Sequence, residues 1–95
     1  MVMPPDPNLT FAALEDEARG LIGHITNQGP VQRVAAVAPV PWAAGHALSD
    51  HAAPAVRRLG YVLLLSAVIQ AGVDKGRAAE LRTALLASLP ELSLA

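Results

Sequence analysis

The sequence contains no cysteine. Disulfides, thiolate catalysis, zinc fingers and cysteine-ligated iron–sulfur clusters are therefore excluded. Aromatic residues make up only 3% of the 95 positions and charged residues 16%. A typical soluble domain carries roughly 25% charged residues, so the chain is short of charge. Seven basic residues against eight acidic ones leave a net charge of -1. A broad polyanion-binding surface is disfavoured, because such domains are usually clearly basic. Long apolar runs are missing too. The longest, Leu59 to Ile69, covers eleven residues, about half of the ~20 needed to cross a membrane.

What is present is apolar. The hydrophobic fraction is 53%, which rules out an intrinsically disordered chain. The length allows one domain at most. Met1 to Pro7 shows neither a cationic segment nor an apolar one of the kind that targeting peptides carry. The sequence is expected to form a soluble, cytoplasmic protein.

Three prolines within residues 1–8 predict a flexible lead-in, followed by a single helical domain over 9–95. Asn8, or Thr10 as the rival, is suited to cap the first helix. Phe11, Leu14, Ala18, Leu21, Ile22 and Ile25 recur at spacings of three and four, one face of an α-helix. Glu15, Asp16 and Glu17 read as a solvated part of that helix near its N-terminus. Gly20 and Gly23 weaken it, by up to about 1 kcal/mol each relative to alanine, unless they mark a close helix contact. Asn27-Gln28-Gly29-Pro30 ends it.

Residues 30–38 are rich in valine, which favours a strand. Their valines fall at 31, 34 and 37, however, and that spacing favours a short helix. Pro39-Val40-Pro41 stops it. Residues 39–50 read as a linker holding at most one helical turn around Trp42 to Leu48. Ser49 or Asp50 caps a helix running from Pro54 to about Ala71, with Gly72 behind it in a left-handed conformation. Asp74 caps a last helix carrying Leu81, Leu85 and Leu89, which Pro90 ends. The expected fold is all-α: a small bundle of three long helices plus one short helix, with a C-terminal αα-hairpin.

The densest polar cluster is His46, Asp50 and His51, with Ser49 between them and His24 elsewhere. These are weak candidate metal ligands; the HExxH pattern is absent. Ser49-Asp50-His51 has the residue types of a catalytic triad. Consecutive residues cannot usually face one another as a triad requires, and no nucleophile elbow or glycine-rich oxyanion loop accompanies them. Gly72-Val73-Asp74-Lys75-Gly76 does not match a P-loop. No cofactor is expected, and enzymatic activity is disfavoured.

The stretch 67–82 has small and apolar residues at Ala67, Ala71, Gly72, Val73, Ala78 and Leu81, in the manner of a helix-turn-helix. Its second helix would present Lys75, Arg77 and Arg82. Asp74 and Glu80 offset that charge, so a plain hairpin is favoured over DNA binding. Trp42 either packs down on the bundle or belongs to a partner surface, where tryptophan is enriched.

The helix from Pro54 is apolar on every side, with Arg57, Arg58, Ser66 and Gln70 scattered around it. Such a helix has to be buried all round. The other segments expected from the sequence cover it incompletely in a chain this small. A homodimer is therefore expected, with Leu59, Val62, Leu63, Leu64, Leu65, Val68 and Ile69 at or near its interface. The corresponding function is a protein–protein interaction module. A small DNA-binding regulator and a metal-binding protein or enzyme centred on His46, Asp50 and His51 are the alternatives.

Overall fold

A computed structural model describes the backbone of residues 7–87 and the side chains of residues 12–87. Residues 1–6 of the expected lead-in, the Phe11 side chain, and Leu89 and Pro90 lie outside these described residues. Within them every regular element is an α-helix and there is no strand. The order is α1 (Pro7–Gln28), α2 (Val31–Val37), α3 (Pro39–Ser49), α4 (Pro54–Gln70) and α5 (Lys75–Ala87). No helix among the described residues is long and apolar enough to cross a membrane.

α1 is already helical at Pro7, so Asn8 and Thr10 stand inside it and not before it. Its end follows the sequence signal: Gly29 takes a φ of 99°, a region glycine enters without cost. The valine-rich segment is the short helix α2, as its spacing of three indicates.

The segment expected to be a linker is a full helix. Ala38 leaves the helical region, at φ -133° and ψ 63°, as a residue before proline must. Pro39 then opens α3, and Pro41 still lies in its first turn. A first-turn residue has no intrahelical use for its N–H, so neither proline obstructs the helix. The Trp42 N–H makes an early bond of this helix, donating to the Ala38 carbonyl at 3.1 Å. There are accordingly five helices among the described residues, where three long and one short were expected.

α3 lies along α4 at very close range, because glycine faces it from both sides. A Cβ built on Gly45 would stand 2.6 Å from Leu64 Cγ and 2.9 Å from the Gly60 carbonyl oxygen. One built on Gly60 would stand 2.5 Å from the Ser49 nitrogen and 2.7 Å from the Leu48 carbonyl carbon. These two glycines, and not Gly20 or Gly23, mark the tight helix contact. A Cβ at Gly20 or Gly23 would meet nothing within 4 Å.

This contact changes the account of α4. Together with α1, α2 and α5 it gives the helix neighbours within one chain. Val62, Leu64, Leu65 and Val68 are buried in that single chain's core. The segment 39–49 contributes a helix the sequence reading had omitted and covers part of α4, while Leu59 stays exposed and Leu63 and Ile69 half-buried. Ile25, Val34, Leu64, Leu65, Val68 and Leu85 are the largest fully buried side chains. Burying each stabilises the fold by about 1.5–3 kcal/mol before entropy is counted.

Neither Ser49 nor Asp50 caps α4. Its N-cap is Ala53, with no side-chain hydrogen bond, and Asp50 is the C-cap of α3. The other end of α4 meets expectation. Gly72, at φ 72°, donates to the Ile69 carbonyl at 3.0 Å, and Val73 donates to the Val68 carbonyl at 3.2 Å. This pair of bonds is a Schellman motif, and Val73 packs against the core behind it. The next helix, α5, contacts α4 and α1 and buries Ala78, Leu81 and Leu85.

Candidate functional site

α1 turns one edge toward α3 and α4, and polar residues collect there. Glu15 was expected on a solvated face, yet its residue exposure is only 7%. It occupies the register of Ala18, Ile22 and Ile25, which places it on the buried stripe. A buried carboxylate is stable only with a partner, and Arg57 of α4 supplies it. Arg57 Nε donates to Glu15 Oε1, and Nη2 donates to Oε2 at 3.5 Å. The Arg57 Nη1 donates to the carbonyls of His51 at 3.3 Å and Ala52 at 3.2 Å. One guanidinium thereby ties α1, α4 and the turn at 50–53 together. The hydrogen bond to Glu15 raises Arg57 above the ordinary arginine pKa.

Arg19 stands on the outer side of the same carboxylate. Its Nη2 lies 3.4 Å from Glu15 Oε1, and its Nη1 donates to Asp16 Oδ1 at 2.8 Å. The guanidinium carbon sits 6.0 Å from the centre of the Tyr61 ring, within cation–π range. Tyr61, through charge and a hydrogen bond, and then Glu15 and Asp16, raise Arg19 above its ordinary value, against a lowering by partial burial.

Beyond Arg19 the helices part into an open cleft of about 280 Å³. Arg19, Ile22, Gly23, Thr26 and Asn27 line it from α1. His46, Ser49 and Asp50 line it from the α3 side, and Tyr61 and Leu64 from α4. His46 and Asp50, four positions apart, share one side of α3 as their spacing requires. The Thr26 hydroxyl donates to the Ile22 carbonyl at 2.8 Å and the Ser49 hydroxyl to the His46 carbonyl at 3.2 Å.

The polar residues singled out from the sequence are thus only partly brought together. His46 and Asp50 border the cleft, and His51 is not among its lining residues. His51 Nδ1 instead accepts a hydrogen bond from the Ala53 N–H at 3.0 Å. Among the described residues no three His, Cys, Asp or Glu side chains stand close enough to hold a metal ion. Ser49, Asp50 and His51 show no triad hydrogen bonding, since Ser49 donates to a backbone carbonyl and His51 accepts from a backbone N–H. His24 is exposed. Trp42 is buried at 8% exposure, its ring centre 4.5 Å from that of His46 in an edge-on arrangement of 89°.

Of the residues expected at a dimer interface, Val62, Leu64, Leu65 and Val68 are interior. Leu63 and Ile69 are half-buried, and Leu59 is exposed at 39%. On α5, Lys75, Arg77 and Arg82 are exposed, and Arg77 faces Glu17 of α1 at 3.7 Å.

Sequence reasoning missed Glu15, Arg57, Arg19 and Tyr61. One signal was available: a charged residue in the register of an apolar helix stripe has to find a partner inside the fold. No protein-family model matches the chain, and comparison with curated proteins and with solved structures finds no match.

Proposed function

We propose that the protein is a small helical interaction module that pairs with a second copy of itself and acts by contact, not by catalysis. The observation that carries this reading is the outer side of α3. From Val34 to Ser49 the sequence has no Asp, Glu, Lys or Arg. Yet Val37 is 52% exposed and Val40 is 76% exposed. Val40, Ala43 and Ala47 recur at helical spacing on the side of α3 opposite Gly45, and Ala43 and Ala47 are exposed with Val40.

A surface helix ordinarily carries charge on its outer side. A charge-free apolar side is better explained as a surface that is covered. A second copy suits it because twofold pairing brings the same patch against itself, and a patch without charge meets no like-charge repulsion there. Small side chains at Ala43 and Ala47 favour close approach of the two helices. Leu59 and Leu63 of α4 would border the pairing surface, while Val62, Leu64, Leu65 and Val68 form the core beneath it. The α4–α5 pair, joined at the Gly72 turn, completes the module as an αα-hairpin. A cytoplasmic setting belongs to the same reading.

Light scattering after size exclusion at micromolar concentration tests it. The expected mass is twice the 9.8 kDa of one chain. Val40→Glu is expected to yield a monomer with unchanged helix content. A single-chain mass for the unaltered protein would refute the pairing, and a Val40→Glu dimer would refute the surface.

A further inference from the structure

We infer that two copies of the chain pair antiparallel along α2 and α3, with Arg33 of each copy against Asp50 of the other. The inference rests on the self-pairing reading. It adds an orientation, and two ion pairs that a single copy does not form.

The first observation is where charge stops and where it resumes. Arg33 stands directly before the charge-free stretch that opens at Val34, and Asp50 directly after its end at Ser49. One boundary is positive and the other negative. Both residues are exposed. Among the described residues neither forms an ion pair. Arg19, which lines the same cleft as Asp50, is engaged instead by Asp16 at 2.8 Å and by Glu15 at 3.4 Å.

The second observation is that both charges lie on the apolar side of their helices. Arg33 precedes Ala36 and Val37 by three and four positions in α2, so the three share a side, and all are exposed. Asp50 is the C-cap of α3 and still follows its helical path. It comes three and seven positions after Ala47 and Ala43, on the side those alanines and Val40 leave open. The outer surface is thus an apolar strip with a cation at one end and an anion at the other.

The third observation is what symmetry does with such a strip. A twofold axis through its midpoint, perpendicular to its length, exchanges the two ends. It therefore brings both Arg33–Asp50 pairs together at once. The same register sets Val40 of each copy close to Ala43 of the other, a larger side chain against a small one. Parallel pairing would place Arg33 beside Arg33 and Asp50 beside Asp50. Exposed ion pairs add little affinity. They decide orientation, because like charges brought together are penalised. The apolar strip supplies the attachment and its two ends supply the direction.

Sedimentation equilibrium of the full chain, alone and in mixtures, tests the orientation. Arg33→Glu and Asp50→Arg each turn both attractions into repulsions. Each is expected to weaken self-pairing about tenfold, the scale of two exposed pairs reversed. An equimolar mixture of the two variants has opposite charges at both ends again, and should pair as tightly as the unaltered chain. Circular dichroism confirms that each variant is folded. Raising salt from about 0.05 M to about 0.5 M screens exposed charges. It should weaken the unaltered pair and strengthen the Arg33→Glu pair, a reading that stands even if Asp50→Arg does not fold. Because the chain has no cysteine, Arg33→Cys and Asp50→Cys give an independent measurement. Under air oxidation their mixture should form the 33–50 disulfide dimer faster than either variant links to itself. Self-pairing that Arg33→Glu leaves unchanged would overturn the orientation while leaving the dimer standing. So would an Arg33→Glu chain that pairs more tightly with the unaltered chain than the unaltered chain pairs with itself, the mark of parallel pairing. A single-chain mass for the unaltered protein removes the self-pairing reading and this inference with it.

Discussion

Arg57 on α4 holds the carboxylate of Glu15 on α1 across 42 positions of sequence, and with the same guanidinium holds the carbonyls of His51 and Ala52. The turn that carries α3 into α4 is thereby fastened to the first helix. Removing one partner of a largely buried pair leaves the other charge uncompensated, whereas replacing both with apolar residues is often neutral. Arg57→Met is expected to lower the melting temperature by several degrees, and Glu15→Leu combined with Arg57→Met to recover most of the loss. The Arg57 side chain is 26% exposed, so the single loss should fall short of that for a fully buried pair. Equal melting temperatures for the single and double variants would refute the coupling. The raised pKa of Arg57 means that its contribution is complete below the ordinary arginine value and fades only as pH climbs through the raised one. The Arg57→Met deficit should therefore stay constant from neutral to mildly alkaline pH.

Gly60→Ala is expected to cost about 1–3 kcal/mol, the usual range for an overpacked core. Its Cβ would press on Ser49 and Leu48 backbone atoms, and backbone yields less readily than a side-chain end. Gly45→Ala should cost less, since its nearest neighbour is the Leu64 side chain. Gly20→Ala should instead stabilise by up to about 1 kcal/mol. Urea unfolding of the three variants gives the order directly.

The left-handed Gly72 sets up a contrast with Gly76, which lies in the first turn of α5. A β-branched residue is strained at φ 72° but ordinary in a helix. Gly72→Val should destabilise by about 1–2 kcal/mol more than Gly76→Val. Matching thermal shifts for the pair would count against this account of the turn.

Leu65 has 0% exposure in the core. Leu65→Ala is expected to destabilise by about 2–5 kcal/mol, the lost transfer energy plus that of the cavity. A loss below about 1 kcal/mol by chemical denaturation would mean that α4 is not enclosed as described.

Trp42 is the one tryptophan and has His46 edge-on against it. Its emission should be that of a buried indole, with little quenching by acrylamide, and an emission maximum typical of exposed tryptophan would mean that α3 is not packed as described.

Much of the helical pattern was legible in the sequence. The stripe ending at Ile25, the valine spacing of 30–38 and the Gly72 stop each express a short-range rule. α3 was hidden because Pro39 and Pro41 read as a break, although both stand where a helix can begin. Its companion signal, Gly45 and Gly60, is meaningful only once two helices are known to face each other. Glu15 and Arg57 were hidden for a related reason. Neither local periodicity nor composition joins residues so far apart in the chain, and an acidic residue near a helix start usually faces water. His46 and Asp50 stood out as polar neighbours in the sequence, but the helix that sets them on one side was hidden with the rest of α3. The residues across from them could be found only after α1 had been placed.

The close approach at Gly45 and Gly60 bears on ancestry. Most core positions tolerate exchange among apolar side chains of similar volume, so divergence can erase the sequence of a bundle while its shape persists. A site where a Cβ would meet backbone at 2.5 Å allows no such exchange. A distant relative that keeps this helix pair should retain glycine opposite glycine after much of the surrounding alanine, leucine and valine pattern has drifted.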